Sequence, residues 1–226
     1  MRDRVLVFDM DGVLVDVTES YRETIQRTVE HFTGIRISRE LIQEYKNQGG
    51  WNDDWALSTE IIRRAGRAVD FKAVVDYFQG IFHGNGTDGL ILRERWIAAQ
   101  GLLEGLGPRF QLAVFTGRYR WEAEFTLKRF VPHLSFAPVV GMDDVPRLKP
   151  HPDGLLQIRA MTADKKLWYV GDSVDDARCA RAAGAPFIGI AAPSSPRYKE
   201  LVAVLKAESA IAVLDDINQL PPVLDS

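Results

Sequence analysis

Short apolar runs without polar alternation are the feature that most constrains how this chain can fold. They are rich in Val, Ile and aromatic residues, which is typical of strands that are buried on both faces of a parallel sheet. Segments with helical spacing separate the later runs, at residues 121–130, 153–161 and 175–183. This alternation predicts the α/β class, with a doubly wound (Rossmann-like) parallel sheet. The five runs are residues 4–9, 110–116, 135–141, 166–172 and 186–190.

One long interval near the N-terminus interrupts this alternation and contains no good strand candidate. Four stretches within it space their apolar residues three and four apart, which indicates helices. The interval ends in the glycine-rich sequence HGNGTDG, which is typical of a linker or hinge. We therefore predict an inserted all-helical domain at residues 17–89 and a Rossmann-like core formed by residues 1–16 and 90–226. The hinges of the insert are expected near residues 15–18 and 84–89.

Composition and charge narrow the possible partners. The net charge of the 226 residues is −3, and the Lys and Arg residues are scattered, which argues against nucleic acid as the main partner. No apolar run approaches the length of about 20 residues that a membrane span needs, and the N-terminus lacks the pattern of a signal peptide. The single cysteine, Cys179, excludes an internal disulfide framework and fits a reducing compartment. We expect a soluble cytoplasmic protein, either monomer or homodimer.

Polar residues follow the predicted strands at the ends where parallel sheets bind ligands. Asp9 and Asp11 end the first run, and Thr116 ends the second. Lys149 follows the third run, and Asp172 ends the fourth. Because the carboxyl ends of parallel strands lie at one edge of the sheet, carboxylates, a hydroxyl and a lysine are expected to meet in one place.

This combination of residue types favours phosphoryl chemistry. Several carboxylates without a neighbouring His or Cys suit a hard cation with oxygen ligands, and Mg²⁺ is the obvious candidate. A magnesium ion, a lysine and a hydroxyl together neutralise and hold a phosphoryl group. An aspartate can then act as nucleophile, and a second carboxyl can exchange protons with the leaving oxygen and with water. We assign these roles to Asp9 and Asp11, with Gly12 allowing the sharp turn that aims both side chains.

The same residues resemble the four motifs of the haloacid dehalogenase superfamily. These are DxDG after an apolar strand, a strand that ends in Thr, then Lys-Pro, then GDSxxD, in that order over residues 5–190. The helical insert is similar to the cap of the phosphoglycolate phosphatase-like subclass. The resemblance implies that Asp9 is the nucleophile and Asp11 the general acid/base. It also implies that Asp9, the backbone carbonyl of Asp11 and Asp172 bind Mg²⁺, with Asp176 supporting the metal shell.

The resemblance further implies how the phosphoryl group is bound and which reaction is catalysed. Thr116, Lys149 and the backbone N–H of Gly117 would bind the phosphoryl group, and Arg118 would either contact substrate or pair with a surface acid. Dehalogenases and phosphonate hydrolases of the superfamily lack an acid at the position of Asp11, so its presence favours hydrolysis of a phosphate monoester. We predict a Mg²⁺-dependent phosphatase that acts on a small phosphorylated metabolite through an aspartyl phosphate.

Other interpretations of these motifs stay open. A phosphotransferase such as a sugar-phosphate mutase keeps the same acid, and a non-catalytic module that binds a phosphate ligand would keep the same fold. Asp175 and Asp176 could be charges that favour a helix N-terminus; we prefer that interpretation for Asp175 and leave both open for Asp176. Cys179 is expected to pack as a small apolar residue.

The cap segment YKNQGGWNDDW suggests a loop that contacts the substrate. Its candidate residues are Lys46, Asn47, Trp51 and Asn52. The alternative is a connection between helices whose tryptophans pack into the interior of the cap. Trp51 or Trp55 could also serve a contact between two copies of the chain.

Overall fold

The structure, a computed structural model, describes residues 3–225 and divides them into two compact units. The core unit contains the residues up to Val15 and from Trp96 onwards, and the helical unit is Asp16–Arg95. The predicted cap ended at residue 89, but a short 3-10 turn at Leu90–Arg93 belongs to the helical unit. Leu90 and Ile91 are buried in the apolar cluster of that unit, which is why the boundary lies later than the glycine-rich segment.

The core unit contains a parallel sheet, so the predicted fold class is confirmed. Its strand order, β5-β4-β1-β6-β7-β8, runs outward from β1 in one direction and then in the other, as in a doubly wound sheet. Strands β2 and β3 form a separate two-stranded sheet. The strands are β1 (Arg4–Phe8), β2 (Val15–Asp16), β3 (Arg95–Trp96), β4 (Gln111–Phe115), β5 (Val139–Val140), β6 (Lys166–Gly171), β7 (Phe187–Ile190) and β8 (Ala212–Leu214).

Helices pack around the sheet in the core unit and make up most of the helical unit. The helical unit contains α1 (Tyr21–Thr33), α2 (Arg39–Gln48), α3 (Asp54–Arg64) and α4 (Phe71–His83). The core unit contains α5 (Leu102–Leu106), α6 (Arg120–Phe130), α7 (Asp153–Met161), α8 (Val174–Ala183), α9 (Tyr198–Ala207) and α10 (Leu220–Asp225). Short 3-10 turns lie at Met142–Asp144 and Ile217–Gln219. Within residues 3–225, no helix combines the length and the apolar character that crossing a membrane would require.

Two strands differ from the sequence-based expectation. The run at residues 135–141 contributes only the two residues of β5, because Pro138 has no N–H to give to a ladder and the strand lies at the edge of the sheet. Strand β8 at the opposite edge was not predicted, since three half-buried residues are too few to produce a recognisable period.

The glycine-rich segment at residues 84–89 forms a hydrogen-bonded turn inside the helical unit. Gly84 has φ +60°, and the Asp88 carboxylate accepts a hydrogen bond from the Asn85 N–H at 2.9 Å. A Cβ atom on Gly84 would lie 2.3 Å from Asp88 Oδ1, so glycine is needed for this close approach. The chain passes between the units after Val15 and after Arg95, so this segment does not join them.

Candidate active site

The loop after β1 turns sharply and presents Asp9 and Asp11. The Asp9 N–H continues the sheet by donating to Val170 O at 2.8 Å, and the N–H groups of Leu14 and Val15 both donate to Met10 O at 2.9 Å. Asp9 itself is 6% exposed. The chain therefore holds Asp9 rigidly at the carboxyl end of a central strand, where the doubly wound topology places ligand sites.

Two features of the structure require glycine at position 12. Its φ is +72°, in the left-handed region that side chains disfavour. A Cβ atom at this position would also lie 2.1 Å from Asp172 Oδ2. The absence of a side chain therefore lets the Asp172 carboxylate, at the end of β6, approach the loop that carries Asp9.

Lys149 is the buried cation of this cluster. Its side chain is 1% exposed, and Nζ lies 3.0 Å from Asp9 Oδ1 and 2.7 Å from Asp176 Oδ1. The ammonium also lies over two aromatic rings, 4.9 Å from the centroid of Phe115 and 5.4 Å from that of Tyr169. Two carboxylates and two ring faces thus compensate the loss of water around this charge.

Asp176 lies in the first turn of α8 and is fully buried. Its Oδ2 accepts from the hydroxyl of Ser173 at 2.6 Å and from the Ser173 N–H at 3.1 Å. The Asp176 N–H in turn donates to Ser173 Oγ at 3.1 Å, which completes a capping box. Its Oδ1 accepts from the hydroxyl of Tyr169 at 2.6 Å. A Cβ atom on Gly171 would lie 2.5 Å from Asp176 Cβ. Asp176 is therefore both a helix-capping residue and a member of the buried cluster.

Asp9, Lys149 and Asp176 shift one another's pKa values. Burial raises the pKa of Asp9 from 3.8 to about 7; the ammonium of Lys149 opposes this rise, and the carboxylates of Asp176 and Asp11 add to it. Burial acts to lower the pKa of Lys149, but the carboxylates of Asp176 and Asp9 outweigh it, so the pKa lies above its ordinary value. Burial acts to raise the pKa of Asp176, yet Lys149 and the hydrogen-bond donors hold it below its ordinary value. Of the two carboxylates that contact Lys149, Asp9 therefore ionises less readily than Asp176.

Three carboxylates in this region could hold a divalent metal ion. Asp9, Asp172 and Asp176 each offer an oxygen atom, and these atoms lie within 4.8 Å of one another. It is the only such group of acidic, histidine or cysteine side chains among residues 3–225. Its donors are all oxygens, which suit hard cations rather than zinc or copper.

Thr116 and Arg118 follow β4 and are both buried. The Thr116 N–H donates to Val140 O at 3.1 Å, and its Oγ1 accepts from the Arg118 N–H at 3.2 Å. Gly117, between them, is half-buried. The guanidinium of Arg118 donates to Asp11 Oδ1 from Nε at 2.8 Å and from Nη2 at 2.5 Å. The sequence suggested a substrate contact or a surface acid for Arg118, whereas the structure pairs it with Asp11, the candidate acid.

Three of the four predicted substrate-contacting residues of the cap, Lys46, Asn47 and Trp51, have partners within the helical unit. Lys46 Nζ lies 2.5 Å from Asp54 Oδ1, and the buried Asn47 accepts a hydrogen bond from Gln43 at 2.8 Å. The ring of Trp51 meets that of Tyr45 edge to face, with 5.3 Å between the centroids. Asn52 is half-buried. Trp55 packs edge to face on Phe78, with the centroids 6.5 Å apart.

Some members of the cluster were not recognised from the sequence. Tyr169 lies in β6 two residues before Gly171, and its hydroxyl reaches Asp176; a buried strand with a polar tip near its end was the available signal. Asp175 lies in the first turn of α8, as expected, and is buried there. Cys179 is buried as expected, and its thiol donates to His151 O at 3.3 Å.

Comparison with known proteins gives the family of the chain and relatives that are longer than it. An imidazoleglycerol-phosphate dehydratase from Phytophthora nicotianae is 34% identical over 202 residues, which are 85% of this chain and 44% of that protein. A phosphoglycolate phosphatase from Salmonella typhi is 37% identical over 92 residues, which are 39% of this chain and 34% of that protein. The matched region is therefore less than half the length of either relative.

A solved structure covers nearly the whole chain, and a family model covers most of it. The crystal structure of a predicted phosphoglycolate phosphatase from Haemophilus somnus 129pt superposes with a TM-score of 0.78 at 20% identity and covers 97% of both chains. That similarity shows a shared fold. The model of the haloacid dehalogenase-like hydrolases matches residues 6–190, which include Asp9, Thr116, Lys149 and Asp172. This chain belongs to the haloacid dehalogenase-like hydrolase family.

Proposed function

We propose that this protein is a Mg²⁺-dependent phosphatase that hydrolyses the phosphate monoester of a small metabolite through an aspartyl phosphate on Asp9. The observation that carries the proposal is the buried cluster in which Lys149 lies 3.0 Å from Asp9 and 2.7 Å from Asp176. Burying a lysine between carboxylates costs stability, because each charge loses its contact with water. Such arrangements concentrate at functional sites, and binding a phosphoryl group at an aspartate nucleophile would account for this one.

Asp9, Asp172 and the backbone carbonyl of Asp11 would hold the Mg²⁺, with Asp176 as a supporting carboxylate. The all-oxygen set and the room left by Gly12 for the Asp172 side chain support this assignment. When bound, the ion supplies positive charge that neutralises phosphoryl oxygens and favours the ionised form of nearby carboxylates. Lys149 adds a second positive charge from the protein itself.

The phosphoryl group would be bound by Thr116, Gly117 and Lys149. The Thr116 hydroxyl accepts a hydrogen bond from the Arg118 N–H, so its own proton remains to be donated to a phosphoryl oxygen. The backbone N–H of Gly117 and the ammonium of Lys149 provide further donors. Thr116 and Gly117 directly follow β4, and Lys149 lies in a turn where Asp9 and Asp176 hold its ammonium. Such fixed placement suits the positioning that phosphoryl transfer requires.

Asp9 and Asp11 would share the covalent steps. An oxygen of Asp9 attacks phosphorus, the bond from phosphorus to the ester oxygen breaks, and Asp11 gives its proton to that oxygen. Asp11 then takes a proton from a water molecule that attacks phosphorus. The bond between phosphorus and Asp9 breaks, inorganic phosphate leaves, and both carboxyl groups return to their starting states.

The names of the relatives suggest which substrates to test first. Phosphoglycolate and imidazoleglycerol phosphate are both small alkyl phosphates, and they appear in the names of the two relatives described above. We therefore propose a small phosphorylated metabolite as the substrate class. We also propose a cytoplasmic location, for which the lone, buried thiol of Cys179 gives support.

The test is release of phosphate with Mg²⁺ from p-nitrophenyl phosphate, phosphoglycolate and imidazoleglycerol phosphate. We expect turnover by the wild type that a chelator removes and that Asp9→Asn lowers by at least about 10³-fold. Asp76→Asn is the matched control, because Asp76 is an exposed aspartate of the helical unit that pairs with Lys72. Formation of an isomer without free phosphate would instead indicate a phosphotransferase. Binding of phosphate esters without any product would indicate a non-catalytic module.

A further inference from the structure

Arg118 is a buried charged residue that the proposed steps do not use. Its side chain is 1% exposed, and its partner Asp11 is 30% exposed. Both Nε and Nη2 donate to the same oxygen, Asp11 Oδ1, while Nη1 donates to the buried hydroxyl of Thr126 on α6 at 3.1 Å. The backbone N–H of Arg118 is held by Thr116 Oγ1. The guanidinium is therefore fixed from several directions before it meets Asp11.

This arrangement restricts Asp11 in a specific way. Asp11 lies in the loop after β1, and its partly exposed side chain would otherwise turn between rotamers. A fork of two charge-assisted hydrogen bonds onto Oδ1 holds that oxygen in place. The second oxygen, Oδ2, is then the one that can carry a proton and give it up. Such restriction matters for catalysis because a proton donor acts only within hydrogen-bond reach of the accepting atom.

We propose that Arg118 is a positioning residue that orients Asp11 toward the leaving oxygen of the substrate, and that it thereby determines how strongly the enzyme depends on the leaving group. This inference rests on the proposed function. Arg118 itself does not contact the reacting atoms. Replacing Arg118 should lower kcat/KM strongly for a substrate whose leaving oxygen needs a proton. It should lower kcat/KM only weakly for a substrate whose leaving oxygen does not.

Two substrates separate this role from general structural support. The alkoxide that leaves an alkyl phosphate needs a proton, whereas nitrophenolate leaves as a stable anion. The quantity to measure is kcat/KM, which reports the steps up to formation of the aspartyl phosphate and is insensitive to its later hydrolysis. The substrates are p-nitrophenyl phosphate and whichever of phosphoglycolate and imidazoleglycerol phosphate the wild type hydrolyses faster.

We expect Arg118→Gln to lower kcat/KM for the alkyl phosphate by about 10²-fold and for p-nitrophenyl phosphate by less than about tenfold. Thr126→Val keeps the shape of the side chain and removes the anchor of Nη1, so the same selective loss is expected at about three- to tenfold. Arg120→Gln is the matched control, since Arg120 begins the same helix but pairs with Asp144. It should leave the ratio of the two kcat/KM values unchanged.

A double-mutant cycle completes the test. In an Asp11→Asn background, the proposal expects Arg118→Gln to cause no further change in the ratio of the two kcat/KM values. Equal losses on both substrates, or an unchanged ratio in Thr126→Val, would overturn the positioning role while the phosphatase stands. Should Arg118→Gln fail to fold, the ratio in Thr126→Val decides the question alone. A wild type that hydrolyses no phosphate ester would overturn the proposed function and this inference together.

Discussion

Buried polar side chains have different kinds of partner in the core unit and in the helical unit. In the core unit, charges from four distant parts of the chain meet below the surface, and burial holds the pKa of Asp9 at about 7. In the helical unit, the buried side chains of Gln43 and Gln26 bond within the unit, to Asn47 four residues away and to Ile37 O eleven residues away. The helical unit also contains a cluster of buried aliphatic and aromatic side chains.

This difference shows where chemistry can be assigned from the structure. A cluster whose members disfavour one another's charge states costs stability, and such clusters concentrate at functional sites. A polar side chain that is satisfied by its own helix carries no such cost and gives no information about a ligand. The roles of Asp9, Lys149 and Asp176 are therefore better supported than those of Lys46 and Asn47.

Replacing Lys149 in the core unit and Lys46 in the helical unit should give the largest difference in stability between the two units. Lys149→Met leaves Asp9 and Asp176 buried without their cation, so we expect the free energy of unfolding to fall by about 3–5 kcal/mol. Lys46→Met is the matched change in the helical unit, where Lys46 and Asp54 keep 13% and 14% side-chain exposure. Its expected cost is about 1–2 kcal/mol. Urea denaturation measures both, and equal losses would remove the contrast between the units.

The pH dependence of stability should expose the perturbed carboxyl. The pKa of Asp9 in the folded protein, about 7, lies above its ordinary value of 3.8. Its contribution to stability is therefore fully present below about pH 4 and is lost as the pH rises through about 7. Asp9→Asn removes this dependence. In metal-free buffer, the free energy of unfolding of the variant should therefore rise relative to that of the wild type over that range. The largest expected difference is about 4 kcal/mol.

Thermal unfolding of both proteins from pH 4 to pH 8 checks this expectation. Adding Mg²⁺ at pH 8 should stabilise the wild type more than Asp9→Asn, because binding to the folded state raises its stability. Parallel pH curves for the two proteins would show that Asp9 ionises normally.

Two glycines with similar backbone conformations should respond differently to substitution. Gly12 has φ +72° and Gly34 has φ +76°, so alanine costs about 1 kcal/mol of backbone strain at either position. At Gly34 nothing lies within 4 Å of the added Cβ, but at Gly12 it meets Asp172 at 2.1 Å. Gly12→Ala should lower kcat by about 10²-fold through displacement of that carboxylate, and Gly34→Ala should not. Steady-state kinetics decides, and equal kcat values would contradict the assigned role of Asp172.

The smallest expected effect concerns the buried amide pair of the helical unit. Asn47→Ala leaves the Gln43 amide without its acceptor, so the free energy of unfolding should fall by about 1–3 kcal/mol. Gln48→Ala, at an exposed position of the same helix, should change it by less than about 0.5 kcal/mol. If Asn47→Ala instead kept full stability and raised KM, Asn47 would be a substrate contact after all.

Sequence patterns predicted the long strands of the sheet and the polar residues that follow them. They did not predict the short edge strands or the boundary of the helical unit. The long apolar runs became β1, β4, β6 and β7, whereas the short strands β5 and β8 depended on their neighbours. The cap boundary was placed at a glycine-rich segment, while Leu90 and Ile91 belong to the apolar interior beyond it. Local composition marks a turn, but it does not show which interior the following residues join.

The order of residues was enough to bring acids, a hydroxyl and a lysine to one edge of a parallel sheet. Burial on both faces leaves a period-free apolar signature in each strand, and all parallel strands end on the same side. The partner of each charge was settled by packing. Arg118 reaches Asp11 across 107 residues, and Lys149 lies between Asp9 and Asp176. Such pairings depend on side-chain direction and on how strands and helices pack together, and no local pattern in the chain encodes them.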